Sequence, residues 1–399
     1  MKLDGVRVLD LGMFLPAPFL SQVMADHGAD VIKVEPPGEG DPGRHIGLAE
    51  RDGNTVFFRN LNRGKRSLSL NLKAAAGREA LLRVAATADV FLEAFRPGVT
   101  ERLGCDYAAL RAQNPRIVYC SISAFGREGP YRDKPAHDLV CEAYAGVVSL
   151  GAGSAGQPTL PPVPVADLAA ATMALAGVVM ALYRREKTGV GDYLDISMHD
   201  CALACLPNVL GPVFVEKRDL VLRDERSLGG AAFYQVYATR DGRHVVLGAQ
   251  EPKFVRALLN EWQRPDLIEP CLRGPGPHQR PVIDFLQGMF ATRTQAEWVA
   301  WFEGRDIGFG PVKTLREAFD DSHANARGMH LLDAEGGEHI GLPLRYAAEP
   351  GRPRLTWPAP GEQTIEVLRE AGYDDAAIAA IAEQGAFTPA ATARVATAR

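Results

Sequence analysis

Between residues 6 and 123 the chain alternates short apolar β-like runs with amphipathic α-like runs, and this alternation restricts the fold more than any other feature. Residues 6–11 read as a strand, 18–27 as a helix ended by Gly28, and 29–34 as a second strand. Residues 67–72 alternate like a strand, 74–88 are helical, 89–95 are a strand, 100–113 a helix and 116–123 a further strand. Strands that alternate with helices cannot be joined by hairpins. They predict an α/β fold with a parallel sheet covered on both faces. A Gly/Pro-rich loop at 151–164 precedes a long helix at about 167–187, then a strand at 192–197 and an Ala/Cys/Leu helix from Met198.

The second half changes character. Residues 206–230 are irregular and charged, as expected of a linker. Runs at 233–238 and 244–248 flank Arg240-Asp241-Gly242, and Asp-Gly at the turn is a hairpin signal. Helical patterns at 252–262, 281–291, 295–302 and 315–326 follow, so residues 231–330 are expected to form a smaller α+β domain. Residues 343–360 are rich in proline and arginine, a helix is expected at 363–371, and the Ala/Thr-rich stretch 386–399 reads as a mobile tail.

Charge and cysteine usage narrow the function classes. A formal net charge of −5 argues against a nucleic-acid partner, whose binding proteins carry a basic surplus. The cysteines at 105, 120, 141, 201, 205 and 271 form no CxxC pair and no Cys/His spacing for a metal. Scattered thiols fit a reducing compartment, and Lys2-Leu3-Asp4-Gly5 does not resemble a signal peptide, so a cytoplasmic location is expected. The apolar run 168–183 is shorter than the roughly 20 residues a bilayer requires. It is expected to be a buried helix whose small residues allow close packing, with no membrane partner.

Two nucleotide-like motifs fail on inspection. Gly151 to Gly156 matches GxGxxG, but it runs into Thr159-Leu160-Pro161-Pro162 instead of opening a helix onto a pyrophosphate. The first βαβ unit ends at Glu35 like a dinucleotide binder, yet its turn, Gly12-Met13-Phe14-Leu15-Pro16-Ala17, lacks the glycines that admit a phosphate. Three titratable groups remain as catalytic candidates. Asp167 stands at or near the start of the long helix, where the macrodipole favours an anion, and the local sequence by itself favours a plain N-cap role over a catalytic one. His137, in Ala136-His137-Asp138, is the side chain most easily poised as a base. Glu251 precedes Pro252, a pattern that also suits a helix cap. Cationic candidates for phosphate contacts are Arg44, Arg63, Lys65, Arg66, Lys73, Arg96 and Arg102, several of them near the strand ends of the expected sheet.

Taken together, Leu3-Asp4-Gly5-Val6-Arg7-Val8-Leu9-Asp10-Leu11, the stretch from Ala25-Asp26-His27-Gly28 to Val34-Glu35-Pro36, Asn62-Arg63-Gly64-Lys65-Arg66-Ser67, Phe95-Arg96-Pro97-Gly98, and Phe125-Gly126 through Gly129-Pro130-Tyr131 resemble the CaiB/BaiF family. That family comprises the class III CoA-transferases and the α-methylacyl-CoA racemases. The resemblance implies a Rossmann-like large domain over 1–205, completed by about 335–385, and an interlocked homodimer with active sites between subunits. It also implies an acyl-CoA substrate, with coenzyme A as part of that substrate and no permanently bound cofactor. Asp167 aligns with the family's catalytic aspartate. Phe95 and Arg102 match CoA-contacting positions, with Arg96, Arg44 and Lys73 as further candidates. Pro36-Pro37 stands where some members place a phosphate-binding arginine.

The two branches of the family ask different things of these residues. A transferase uses the aspartate to attack the thioester, forms an anhydride and then a CoA thioester, and passes CoA to a carboxylic acid acceptor. A racemase needs two acid/base groups on opposite faces of the α-carbon, one ionised and one protonated. It also needs hydrogen-bond donors for the enolate oxygen, for which backbone amides at a helix start are the expected source. The co-occurrence of His137, Asp167 and Glu251 favours the racemase, because the first and last are superfluous to a transferase.

Overall fold

The computed structural model describes residues 1–49, 53–151 and 156–388, and its chain divides into two compact units. The first takes in Met1–Gly146, Leu160–Leu203 and the chain from Ser322 onward; the second takes in Val147–Thr159 and Ala204–Asp321. Residues 206–230, expected to link two domains, therefore fall within the second unit.

The first unit is built on six parallel strands: β1 (Arg7–Asp10), β2 (Asp30–Glu35), β3 (Arg66–Ser69), β4 (Val90–Glu93), β5 (Val118–Ser123) and β6 (Tyr193–Ser197). Their order across the sheet is β3-β2-β1-β4-β5-β6. The chain winds outward from β1 in one direction and then returns to start again at β4 in the other. The loops after β1 and β4 consequently diverge, opening a crevice at the carboxyl ends of the two strands, where open α/β sheets bind ligands. The strands read as apolar runs because both faces are covered: Leu9, Ile32, Leu68 and Phe91 are buried with Leu81, Val84, Val367 and Leu368 from helices.

Local signals explain several differences from the sequence expectations. The helix expected at 100–113 is two helices, Val99–Leu103 and Tyr107–Gln113. Gly104 ends the first in a left-handed conformation, and the Asp106 side chain caps the second by accepting from the Ala109 amide. The helix expected at 315–326 likewise splits, into Leu315–Phe319 and Ser322–Ala326. Helices at Val56–Asn62, Asp138–Tyr144 and Asp375–Glu383 were not expected. The tail expected from residue 386 begins later, since Ala386 and Phe387 are buried in the core and the Ala386 carbonyl accepts from the Asn71 amide. Residues 389–399 of that tail, and residues 152–155 of the GxGxxG match, lie outside the described residues.

The Val165–Thr188 helix runs 24 residues. Ala166, Ala170, Ala174, Val178 and Ala181 bury one face against the sheet, close enough that a side-chain carbon on Gly177 would lie 2.5 Å from Leu194 Cδ2. The opposite face is not buried as the sequence suggested: Met180 and Tyr183 are each 65% exposed, and Met173 and Val179 are exposed with them. The sheet covers only one side of the helix. By length and hydropathy alone this helix could cross a membrane, a test that core helices of soluble proteins also pass.

The second unit holds a three-stranded antiparallel sheet of β7 (Tyr234–Ala238), β8 (His244–Gly248) and β9 (Phe309–Pro311). The expected hairpin joins β7 and β8 through Asp241-Gly242. An aromatic core of Phe233, Tyr237, Phe290, Trp298 and Phe302 fills the space between this sheet and the helices Pro252–Glu261, Arg280–Phe290 and Gln295–Phe302.

Candidate active site

A cleft of about 410 Å³ opens at the carboxyl ends of β1, β4 and β5. Met13, Phe14 and Pro16 line it after β1; Ala94, Phe95, Arg96, Pro97 and Val99 after β4; Ile122, Ser123 and Ala124 along and beyond the end of β5. His137 and Asp167 both face into it, joined by the cations Arg132 and Lys134. The structure thus brings two of the three catalytic candidates, and two of the five candidate CoA contacts, into one crevice.

Each wall of the cleft has a cause in the sequence. The turn after β1 needs Gly12, because a side-chain carbon there would lie 2.3 Å from Ala17 Cβ. Asp10 Oδ1 accepts from the Gly12 amide at 2.8 Å, and Lys33 Nζ donates to the Gly12 carbonyl at 2.9 Å. These contacts hold Phe14 at φ 62°, a left-handed conformation that costs a bulky side chain about 1–2 kcal/mol. The Phe14 ring meets the His137 ring edge-on, with 6.1 Å between centroids. The loop after β4 is fixed through Glu93, whose Oε2 accepts from the Phe95 amide and whose Oε1 pairs with Arg127 Nη2 at 2.7 Å. Arg127 also reaches Glu101, Thr100 and Ser121, so it ties the β4 and β5 loops together.

Beneath the first turn lies a buried ion network. Lys65 Nζ pairs with Asp10 Oδ2 at 3.2 Å, Lys33 Nζ with Asp41 Oδ2 at 2.5 Å, and Arg44 grips both oxygens of Glu35 at 2.7 and 2.8 Å. The sheet makes this assembly possible: Asp10 and Lys33 are register partners, and Lys33 and Glu35 share one face of β2. Burial presses the Lys65 ammonium down to about 8, against the pull of Asp10.

Asp167 occupies the third position of its helix; the cap position is Pro164, so the residue is not an N-cap aspartate. The helix-start amides are taken by another pair of carboxyls. Glu142 Oε1 accepts from the Val165 amide at 2.7 Å, and Asp138 Oδ1 accepts from the Asp167 amide at 2.9 Å. Those amides are therefore not available as donors to an enolate. Nor does the helix start hold Asp167 as an anion. Burial first, then the neighbouring Asp138 and Glu142 carboxyls, push it up to about 7. No cation is among the groups acting on it.

The remaining candidates fall elsewhere. Arg44 is a correction: its guanidinium is buried, held by Glu35 and the Pro358 carbonyl and stacked 3.9 Å over Phe58, which leaves no face for a phosphate. Arg63 and Lys65 are likewise buried in ion pairs, with Asp26 and Asp10, and Arg66 is engaged by Asp30, Glu366 and Glu370. Lys73 is exposed and Arg102 is exposed one turn beyond Val99; neither lines the cleft. Glu251 belongs to the second unit, at the cap position of the Pro252–Glu261 helix, with its side chain exposed and making no capping hydrogen bond. Sequence reasoning passed over Arg132 and Lys134. Their signal was two cations just beyond the Gly129-Pro130 turn and shortly before His137. No group of three or more His, Cys, Asp or Glu side chains suited to a metal occurs among the described residues.

Comparison with known proteins places this architecture. Residues 3–364 match the model of CoA-transferase family III. The chain is 32% identical over 376 residues to a succinyl-CoA–D-citramalate CoA-transferase of Chloroflexus aurantiacus, covering 92% of this chain and 93% of that protein. It is 35% identical over 387 residues to the α-methylacyl-CoA racemase of Mus musculus, covering 94% of each. The crystal structure of a CaiB/BaiF family protein from Brucella suis superimposes with a TM-score of 0.80 at 27% identity, over 93% of this chain and 99% of the other.

Proposed function

The chain belongs to CoA-transferase family III, an enzyme family of CoA-transferases and racemases, and from that premise we propose that it epimerises 2-methylacyl-CoA thioesters by transfer of the α-proton between His137 and Asp167. The observation that carries this is the pairing of an imidazole and a carboxyl poised near 7 in a single cleft. A ring nitrogen of His137 takes the α-proton from one face, and the C–H bonding electrons pass into the thioester as an enolate. The protonated Asp167 carboxyl returns a proton to the other face; the opposite epimer runs the same steps with the roles exchanged. A carboxyl near 7 populates both forms at neutral pH, which a reversible two-base exchange requires. Glu251 is not required for these steps; the resemblance makes it an auxiliary base.

Arg96, Arg132 and Lys134 are the cations suited to the coenzyme A phosphates, with Phe95 and the apolar Met13–Phe14 turn against the pantetheine arm. Arg102, exposed and outside the cleft lining, is a candidate contact on the resemblance alone. The exposed apolar stripe Met173, Val179, Met180 and Tyr183 supports a homodimer in which a second copy covers that helix face.

Incubation with a 2-methylacyl-CoA in D2O tests the proposal: one deuterium should enter at the α-carbon while either pure epimer drifts to a mixture of both. No deuterium uptake across several chain lengths would overturn it. The alternative, CoA transfer to a carboxylic acid, is favoured by the transferases among the relatives at 28–32% identity. It requires Asp167 ionised as a nucleophile, so hydroxylamine should trap Asp167 in the presence of acyl-CoA.

A further inference from the structure

The Asp138–Tyr144 helix presents Asp138 and Glu142 four residues apart, hence on one face, directly against the start of the Val165–Thr188 helix. Like charges at this spacing repel, and here one of them is removed from water: Glu142 is wholly buried and Asp138 half-buried. Its two oxygens differ. Oε1 takes the Val165 amide, whereas Oε2 is buried and has no well-formed hydrogen bond among the described residues. The Asp138 carboxyl is its neighbour one turn back, and the two accept from amides of the same helix start. Two carboxylate oxygens cannot bond to each other unless one carries hydrogen, and an unsatisfied buried acceptor is costly.

We propose that Glu142 is a positioning residue, whose buried carboxyl shares one proton with Asp138 and so sets the charge that the capped helix start presents to Asp167. This rests on the epimerisation reading for its link to activity, but the shared proton stands independently of it. With the proton in place, the Asp138–Glu142 pair carries one negative charge, not two, beside the catalytic carboxyl. That single charge is enough, together with burial, to keep Asp167 from ionising at the usual carboxylate pH.

The surroundings agree. Burial first, then Asp138, push the Glu142 carboxyl upward against the pull of the Val165 and Ala166 amides. On the same helix the Cys141 thiol is held up at about 12 and stays neutral. From the facing helix only Asp167 contributes, and it is an acid. The cations of the cleft are Arg96, Arg132 and Lys134, with His137 at its wall; none is paired with either carboxyl, and Lys134 donates to the Tyr144 hydroxyl.

The Glu142→Gln variant keeps the acceptor for Val165 and supplies an N–H to Asp138, but it can never ionise. In α-deuterium exchange its plateau rate should stay within about twofold of the parent and the limb of the pH–rate profile belonging to Asp167 should stay in place, since a pair that shares a proton carries one charge whether or not residue 142 can ionise. Asp138→Asn/Glu142→Gln, which removes that charge, should move the limb down by about half a pH unit or more. A limb that falls in Glu142→Gln alone would show two charges on the pair and overturn the shared proton, and a limb unmoved in the double variant would overturn the link to Asp167. The shared proton is read without any reaction, by infrared spectroscopy in an Asp167→Asn background that removes the other acid of the site. A protonated-carboxyl band present at pH 7 in Asp167→Asn and missing from Asp167→Asn/Glu142→Gln is the expected result; its absence from both refutes the proposal. If Glu142→Gln does not fold, Asp138→Asn breaks the same pair from its other side and should remove the same band. Loss of exchange in the parent enzyme alongside an intact band would sink the epimerase reading and leave the shared proton standing.

Discussion

The first unit gathers two groups of carboxylates near the carboxyl ends of its strands, one wholly buried and one in part, and it treats them in opposite ways. Under the β1 turn, Asp10, Asp41 and Glu35 are matched one for one by Lys65, Lys33 and Arg44, at 2.5 to 3.2 Å. At the junction of the Asp138–Tyr144 and Val165–Thr188 helices, Asp138, Glu142 and Asp167 lie against backbone amides and one another, and no cation among the described residues pairs with them. Matched charges have nothing to exchange, since burial and partner hold each in one protonation state, and such a network serves to fix a loop. Unmatched acids in a half-dry place compete for protons, which is the condition for moving one. The contrast lies in the partners and not in burial alone, because Glu142 is as buried as Asp10 while Asp138 and Asp167 are half-buried.

The largest effect expected from breaking this contrast is on rate. Asp167→Asn keeps the shape but removes the transferable proton, and should lower α-deuterium exchange by on the order of 10³-fold or more, measured at saturating thioester. In the matched network the corresponding change acts on stability. Lys65→Met leaves Asp10 buried without its cation and should cost about 3–4 kcal/mol in urea unfolding.

A smaller effect sharpens the comparison by its sign. Asp167 holds its proton more tightly folded than unfolded, since its folded value of about 7 lies above the ordinary aspartate value of 3.8. The stability this contributes is therefore fully present below about pH 4 and is lost as the pH rises towards 7. Asp167→Asn escapes that loss, so at pH 8 the inactive variant should be more stable than the parent by on the order of 2–4 kcal/mol, with the difference vanishing near pH 4. Equal unfolding midpoints at pH 8 would place Asp167 with the matched charges instead. Smallest of all, Arg132→Ala should raise KM for the thioester about two- to fivefold with little change in kcat, an effect that fades in high salt because the side chain is exposed.

Much of this was legible beforehand, for identifiable reasons. The alternation of strands and helices specifies a parallel sheet because it leaves no hairpins, and His137 and Asp167 follow loops that such a sheet gathers at one edge. Arg44 was misjudged because its partner Glu35 lies nine residues earlier, across a turn, and cation spacing carries no information on whether a guanidinium is already occupied. Glu142 was overlooked in Asp138-Leu139-Val140-Cys141-Glu142, although two acids four apart on an otherwise apolar segment were a usable sign. The expectation that a helix start would favour the Asp167 anion failed because amides can be claimed by other residues, and no local pattern around Asp167 reveals which.

Phe14 gives the matched network a reach beyond its own position. A benzyl group wound the wrong way for its handedness stays there only if its surroundings are stiffer than the torsion they oppose, and the anchors on either side of Gly12 come from Asp10 and Lys33. The imidazole of His137 leans on that ring. The orientation of the proposed base is thus inherited from salt links it never touches, and a change to those links would reach the imidazole through a displaced wall.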